Sequence, residues 1–107
     1  MTATAPCWVA AVAASAVDED DLVGVTVEGR NVAVYNLGGR FYATDNICTH
    51  EHACLSEGFV VDDVIECPRH QGRFHIPTGR AKGAPVHRDL KTYPIKIQDG
   101  MVYVQLD

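Results

Sequence analysis

Two short segments of the chain each combine a cysteine with a histidine. Cys48 lies two positions before His50, Cys67 lies three positions before His70, and sixteen residues separate the two pairs. A thiolate together with an imidazole is a donor set that suits zinc, copper and iron–sulfur centres. We therefore predict a metal centre with these four side chains as its ligands.

Four ligands of these types allow more than one kind of centre. A [2Fe–2S] cluster can bind both cysteines through one iron and both histidines through the other, and the short spacing lets the members of a pair reach different irons. A single structural zinc ion could bind all four tetrahedrally, although zinc fingers usually pair cysteine with cysteine and histidine with histidine. The third possibility is that the chain binds no metal, which would leave two thiols exposed in loops that contain glycine and proline. The mixed pairs favour the iron–sulfur cluster.

The remainder of the chain consists of short strand-like segments separated by turns, without a helical period. Residues 22–27 and 32–35 are rich in β-branched side chains, and residues 28–30 supply a turn between them. Further strands are predicted at 8–14, 41–43, 58–61, 64–66, 93–97 and 101–106. Many short strands at this spacing predict an all-β fold, built as an antiparallel sandwich or a small barrel.

Two stretches, 44–57 and 67–85, do not fit the strand pattern, and each contains one cysteine–histidine pair. Loops held on a rigid sheet are a common place for functional sites. A chain of 107 residues is long enough for one compact domain only. We therefore predict a single domain over 1–107, with a cluster-binding subdomain at about 44–85 inserted in a β base.

Composition and charge exclude several classes of function. The chain is 47% hydrophobic and 21% charged, which is typical of a globular protein and argues against disorder or a fibrous repeat. Nine basic and fourteen acidic residues give a net charge of −5, which argues against nucleic-acid binding. Residues 1–66 hold eleven acidic and two basic residues (net −9), whereas residues 67–107 hold seven basic and three acidic ones (net +4). This asymmetry suits a protein that docks on a charged partner.

The sequence also predicts where the chain works. No segment approaches the ~20 apolar residues that a membrane-spanning helix requires. No basic residue precedes the apolar segment 8–14, so a secretory signal is not expected. We predict a cytoplasmic protein with no membrane partner, in which the four cysteines are metal ligands or free thiols and not disulfides.

Several blocks around the two pairs match one known family. They are Tyr42-Ala43-Thr44-Asp45-Asn46, Leu55-Ser56-Glu57-Gly58, Ile65-Glu66-Cys67-Pro68, His70-Gln71-Gly72-Arg73-Phe74, Thr78-Gly79, Ala84-Pro85-Val86 and Lys91-Thr92-Tyr93-Pro94. With these blocks the chain resembles, nearly end to end, the Rieske-type [2Fe–2S] ferredoxins of bacterial aromatic-ring-hydroxylating oxygenase systems. The resemblance is to the naphthalene dioxygenase and salicylate hydroxylase systems in particular.

The resemblance implies a Rieske fold that carries one [2Fe–2S] cluster. Cys48 and Cys67 would bind the buried iron, and His50 and His70 would bind the outer iron. The segment Ala84-Pro85 would form a third loop that covers the cluster. Cys54 and His52 depart from the naphthalene-type pattern, and we expect Cys54 to be an ordinary cysteine.

The resemblance also implies a role in electron transfer. The chain would be a monomeric carrier that takes single electrons from an NADH-linked flavoprotein reductase to a terminal oxygenase, and it would catalyse no reaction itself. The alternatives are a small Rieske subunit of another redox enzyme, such as a nitrite reductase, and a zinc-stabilised interaction module.

Overall fold

A computed structural model describes residues 7–49, 53–69, 71–84, 86 and 88–106. The strands of this part of the chain are β1 (Cys7–Ala13), β2 (Asp21–Val27), β3 (Arg30–Leu37), β4 (Arg40–Asp45), β5 (Phe59–Val61), β6 (Val64–Glu66), β7 (Arg73–His75), β8 (Thr92–Tyr93), β9 (Ile95–Gln98) and β10 (Met101–Leu106). Its helices are two single 3-10 turns, Ala14–Ala16 and Leu55–Glu57. Every strand pairing is antiparallel, which confirms the predicted all-β class. Neither turn is long and apolar enough to cross a membrane, and the described residues contain no other helix.

The turn predicted at residues 28–30 joins β2 to β3 in a hairpin, and local sequence explains both this turn and the one between β9 and β10. Glu28 and Gly29, between β2 and β3, have φ values of 50° and 79°, and Asp99 and Gly100, between β9 and β10, have 52° and 75°. Positive φ at both central residues is the requirement of a type I′ turn, whose twist matches that of the flanking strands. Glycine takes this conformation without a steric penalty, so each turn contains one.

The strands form three sheets, ordered β1-β10-β9, β2-β3-β4-β8 and β5-β6-β7. The middle sheet separates two cores. Because side chains alternate along a strand, Val32 and Val34 of β3 enter one core and Ala33 and Tyr35 enter the other. The base core is made mainly of Val27, Val32, Val34, Ala43, Val102 and Val104. The loop core is made mainly of Ala33, Tyr35, Cys48, Leu55, Ile65, Cys67, Phe74, Ile76 and Val86.

The prediction that 67–85 lacks a strand is wrong, because β7 lies within it. Its three residues are too few to show a periodic pattern, and pairing with β6 stabilises them through contacts such as Ile65 with Phe74. β4 likewise extends two residues into the stretch 44–57 that was predicted to be irregular. Sequence alternation therefore detects the longer hairpins but not a strand whose existence depends on its neighbour.

A buried hydroxyl pair joins β3 to β4 on the loop-core side. The Tyr35 hydroxyl lies 2.9 Å from Thr44 Oγ1, and Thr44 Oγ1 donates to the Asp45 carbonyl at 2.8 Å. Because the Thr44 proton is used in that bond, Tyr35 is the donor to Thr44. Burial raises the pKa of Tyr35, so its hydroxyl keeps the proton that it donates.

This donor assignment predicts unequal effects of removing the two hydroxyls. Tyr35→Phe removes one hydrogen bond and leaves Thr44 still donating, so it should cost about 0.5–1.5 kcal/mol. Thr44→Val leaves the buried Tyr35 hydroxyl without an acceptor and the Asp45 carbonyl without a donor, so it should cost about 1–3 kcal/mol. Circular dichroism should show a lower thermal midpoint for Thr44→Val, since ~1 kcal/mol shifts the midpoint of such a domain by roughly 4–8 °C. A larger loss in Tyr35→Phe would contradict the assignment.

Candidate metal centre

The two cysteines predicted as ligands are buried in the same core. Cys48 lies three residues after the end of β4, and Cys67 directly follows β6. Their relative exposures are 4% and 1%, and both belong to the loop core. Two segments that are distant along the sequence therefore place their thiol side chains in one apolar, water-poor region.

Asn46 organises the loop that contains Cys48. Its buried side-chain amide donates to Asn31 Oδ1 at 2.9 Å and to Ser56 Oγ at 3.0 Å, and its Oδ1 accepts from the Ser56 backbone N–H at 2.8 Å. The Cys48 N–H donates to the Ala53 carbonyl at 2.9 Å. These bonds tie both ends of the loop to each other and to β3, so they fix where Cys48 enters the core.

The start of this loop is also fastened to β8. The Tyr93 hydroxyl donates to Asp45 Oδ1 at 2.5 Å, and the Asp45 N–H donates to the Lys91 carbonyl at 2.9 Å. Burial and the Asp45 carboxylate raise the pKa of Tyr93, so the phenol remains protonated as a donor. The point where the chain leaves the middle sheet is therefore held by a side-chain and a backbone contact.

The loop that contains Cys67 is closed by its own backbone. The Cys67 N–H donates to the Gly72 carbonyl at 2.6 Å. A β-carbon added at Gly72 would lie 2.6 Å from Val86 Cγ1 and 3.8 Å from Cys67 Cβ. The missing side chain at Gly72 thus allows the second loop to pack directly against buried Val86, which lies just after the predicted third loop, Ala84-Pro85.

Several residues named in the sequence analysis lie outside the described residues. They are His50, His52, His70 and Pro85. The described part of the chain contains no group of three or more side chains able to hold a metal ion. Of the four predicted ligands, the structure thus places only Cys48 and Cys67, and the contribution of the two histidines stays a prediction.

The residues that are described fit an iron–sulfur cluster. Two buried cysteines share one apolar region, each on a loop closed by backbone hydrogen bonds, and Gly72 lets Val86 pack closely against the loop of Cys67. Cysteine sulfur atoms in a site shielded from water suit such a cluster, because the residues around a metal centre control how far water can reach it.

Neither of the other two cysteines belongs to the loop core. Cys54 is half-buried, its Sγ lies 3.8 Å from the Asn31 side-chain amide, and Cys7 is exposed on β1 in a different sheet. Both are free thiols. The expectation that Cys54 is an ordinary cysteine stays a prediction.

Sequence reasoning gave no role to three residues that support the first loop, Gly24, Asn46 and Ser56. Gly24 of β2 faces it, and a β-carbon there would lie 2.6 Å from Asn46 Nδ2 and 2.8 Å from Ser56 Oγ. Asn46 and Ser56 were noticed only as parts of matching blocks. The one sequence signal of this contact is Gly24 itself, because a glycine within a strand of β-branched residues often marks the close approach of another segment.

Comparison with known proteins identifies the family. The family model described as "Rieske [2Fe-2S] domain" matches residues 7–94. The ferredoxin component of the naphthalene 1,2-dioxygenase system of Pseudomonas aeruginosa is 52% identical over 99 residues, which cover 92% of this chain and 95% of the relative. The ferredoxin component of the naphthalene 1,2-dioxygenase/salicylate 5-hydroxylase systems of a Ralstonia species is 45% identical over 100 residues, with 94% and 96% coverage.

A solved ferredoxin structure is also similar to this chain. The ferredoxin in a complex with the reduced oxygenase of carbazole 1,9a-dioxygenase is 38% identical and superposes with a TM-score of 0.87, covering 94% of both chains. The predicted resemblance is confirmed, and the alternative of a zinc-stabilised module is removed because the family is defined by its [2Fe–2S] cluster. This chain belongs to the Rieske [2Fe–2S] family, among the electron-carrying ferredoxin components of aromatic-ring dioxygenase systems.

Proposed function

We propose that Cys48, His50, Cys67 and His70 hold the cluster and that the chain carries single electrons from an NADH-linked flavoprotein reductase to a terminal aromatic-ring-hydroxylating oxygenase. The observation that carries the proposal is the burial of Cys48 and Cys67 in one core, in a chain that is 52% identical to a dioxygenase ferredoxin over 99 residues. When bound, a cluster of this type accepts and releases one electron at a time.

The protein's own residues keep the site dry and rigid. Cys48 and Cys67 share the loop core with Leu55, Ile65 and Phe74, all of which are inaccessible to solvent. When a cluster gains or loses an electron, its surroundings must rearrange. A rigid site that contains little water lowers the energy of this rearrangement, because few water molecules must reorient. His50 and His70 lie two and three residues beyond their cysteines, so each loop would supply one sulfur and one nitrogen donor.

We propose that residues 1–107 form one domain, in which the ligand loops are a subdomain inserted in the β base. The pairing of Ala43 with Tyr93 and of Thr44 with Thr92 supports this division, because the chain leaves the middle sheet after β4 and rejoins it at β8. The sheet β5-β6-β7 lies within that excursion. This range contains most of the predicted 44–85 and extends slightly beyond it.

We further propose that the carrier works in the cytoplasm as a monomer. The free thiols of Cys7 and Cys54 fit a reducing compartment, where a disulfide would be unusual. The related systems act on naphthalene and salicylate, as their names state. The choice of aromatic substrate would rest with the oxygenase, because this chain only delivers electrons.

The proposal predicts the outcome of a reconstitution. The holoprotein should support naphthalene hydroxylation when mixed with NADH and the reductase and oxygenase components of the Pseudomonas aeruginosa naphthalene system. Product should fall to background when the chain is omitted or when its cluster is removed with a chelator. Reduction of the cluster by NADH and the reductase, followed in the visible spectrum, checks the first half of the transfer separately. A holoprotein that neither accepts nor delivers electrons would contradict the proposed role.

The ligand assignment predicts which variants lose the cluster. His50→Ala, His70→Ala, Cys48→Ala and Cys67→Ala should each abolish the Rieske electron paramagnetic resonance signal. Cys54→Ser is the matched control, because its sulfur contacts Asn31 and should not touch iron. It should keep the wild-type ratio of iron to protein. Loss of iron in Cys54→Ser, or its retention in both histidine variants, would show that the ligand set is wrong.

Asn46 should affect cluster retention because it closes the first loop. Asn46→Ala removes three side-chain hydrogen bonds, and the wild-type cluster should outlast that of the variant at least several-fold during incubation with a chelator. Asn36→Ala is the control. It also removes hydrogen bonds, to Val17 and Gly39, but these lie at the end of β3 away from the loop. Equal bleaching of the visible absorbance in both variants would mean that Asn46 acts only through global stability.

A further inference from the structure

A short segment leads the chain from the ligand loops back to β8. It consists of Val86 and residues 88–91, and we call it the return segment. Val86 and Leu90 are buried, and both belong to the loop core. These two side chains anchor the return segment in the apolar region that also contains Cys48 and Cys67.

The return segment is fixed against the second ligand loop and the stretch that follows β7. Val86 packs where Gly72 lacks a side chain, and the Leu90 N–H donates to the Gly79 carbonyl at 2.7 Å. Gly79 has a φ of 76°, and a β-carbon there would collide with the Leu90 carbonyl oxygen. The two pieces of chain therefore meet at backbone distance, which leaves the return segment little freedom to shift.

Thr49 joins the first ligand loop to the return segment. Its hydroxyl donates to the Arg88 carbonyl at 2.8 Å, a contact between residues 39 positions apart. The side-chain hydrogen bonds of Asn46 and the backbone bond of the Cys48 N–H, in contrast, run within the first loop or to β3. Thr49 thus ties this loop to a different part of the fold, the part that also packs against the second loop.

The place of Thr49 in the sequence gives this bond its significance. Thr49 stands between Cys48 and His50, the two proposed ligands of the first loop. Threonine is branched at Cβ, so rotation about its χ1 is restricted. A hydrogen bond from its hydroxyl to a fixed carbonyl therefore also restrains the Thr49 backbone, from which the chain continues into His50.

We propose that Thr49 is a positioning residue for the histidine side of the cluster. Its bond to the return segment sets the direction in which the chain leaves buried Cys48 and enters His50. This inference rests on the proposed function, because it takes His50 as a ligand. Groups that orient a metal ligand contribute to metal binding without touching the metal, and their removal weakens the site while every ligand is still present.

Thr49→Val tests the proposal, because valine has nearly the shape of threonine and cannot donate a hydrogen bond. The holoprotein of this variant should lose its cluster to a chelator about fivefold faster than the wild type, which corresponds to ~1 kcal/mol. The principal g values of its electron paramagnetic resonance signal should shift, because they depend on how the ligands are arranged around the irons. Thr49→Ser keeps the hydroxyl, so it should show wild-type g values and a rate of loss within twofold of the wild type.

Two controls separate positioning from general stability. Thr78→Val makes the same substitution in the turn after β7, where the hydroxyl lies 2.8 Å from His75 Nδ1. It should leave the g values unchanged and alter the rate of cluster loss less than twofold. Arg88→Ala removes a side chain and retains the main-chain carbonyl that accepts from Thr49, so it should also keep the wild-type g values.

The outcomes distinguish this inference from the proposed function. Wild-type g values in Thr49→Val, or equal shifts in Thr49→Val and Thr78→Val, would overturn the positioning role. If Thr49→Val assembles no cluster, Thr49→Ser decides: a wild-type signal supports the role of the hydroxyl, and absence of a cluster overturns it. An intact Rieske signal in His50→Ala would instead refute the proposed ligand set.

Discussion

The burial of β3 on both faces is the constraint on which the rest of the structure depends. Val32 and Val34 pack into the base core, while Ala33 and Tyr35 pack into the loop core, and all four are inaccessible to solvent. A strand buried in this way cannot shift by one residue, because every side chain would enter the opposite core. The register of β3 therefore fixes the positions of both neighbouring sheets and, through β4 and Asn46, of the first ligand loop.

The ligand loops gain their rigidity from polar contacts at their bases and apolar contacts inside. The Asn46 side chain forms hydrogen bonds with the backbone and the side chain of Ser56 in the first loop. The Cys67 N–H closes the second loop by donating to the Gly72 carbonyl. Buried polar groups are costly without partners, and no buried side-chain nitrogen or oxygen of the described residues lacks one. The loops can thus be irregular without being loosely held, which suits a centre whose surroundings must change little when an electron arrives or leaves.

The uneven distribution of charge gains a structural meaning from the small sheet. The sequence places a net charge of +4 on residues 67–107, against −9 on residues 1–66. The pairing of β6 with β7 brings the two halves of the charge distribution together, because Glu66 of the acidic segment forms an ion pair with Arg73 of the basic one. The turn between β5 and β6 adds the acidic residues Asp62 and Asp63, which border the same shallow cavity as Arg73 and Lys82.

The sequence alone determined the chemistry and most of the fold. Each cysteine is followed closely by a histidine, Cys48 by His50 and Cys67 by His70, and these pairs indicated the cluster. The matching blocks indicated the family. Both could be read from the sequence, because ligand type and spacing are local properties. The turn residues Glu28 and Gly29 likewise determined the hairpin of β2 and β3, since they set backbone angles directly. Tertiary structure decided what depends on distant contacts. It formed β7 through pairing with β6, gave Asn46 and Gly24 their roles, and brought Cys48 and Cys67 into one core. None of these relations appears in a local pattern, because each arises only when separate strands pair and bury their common side.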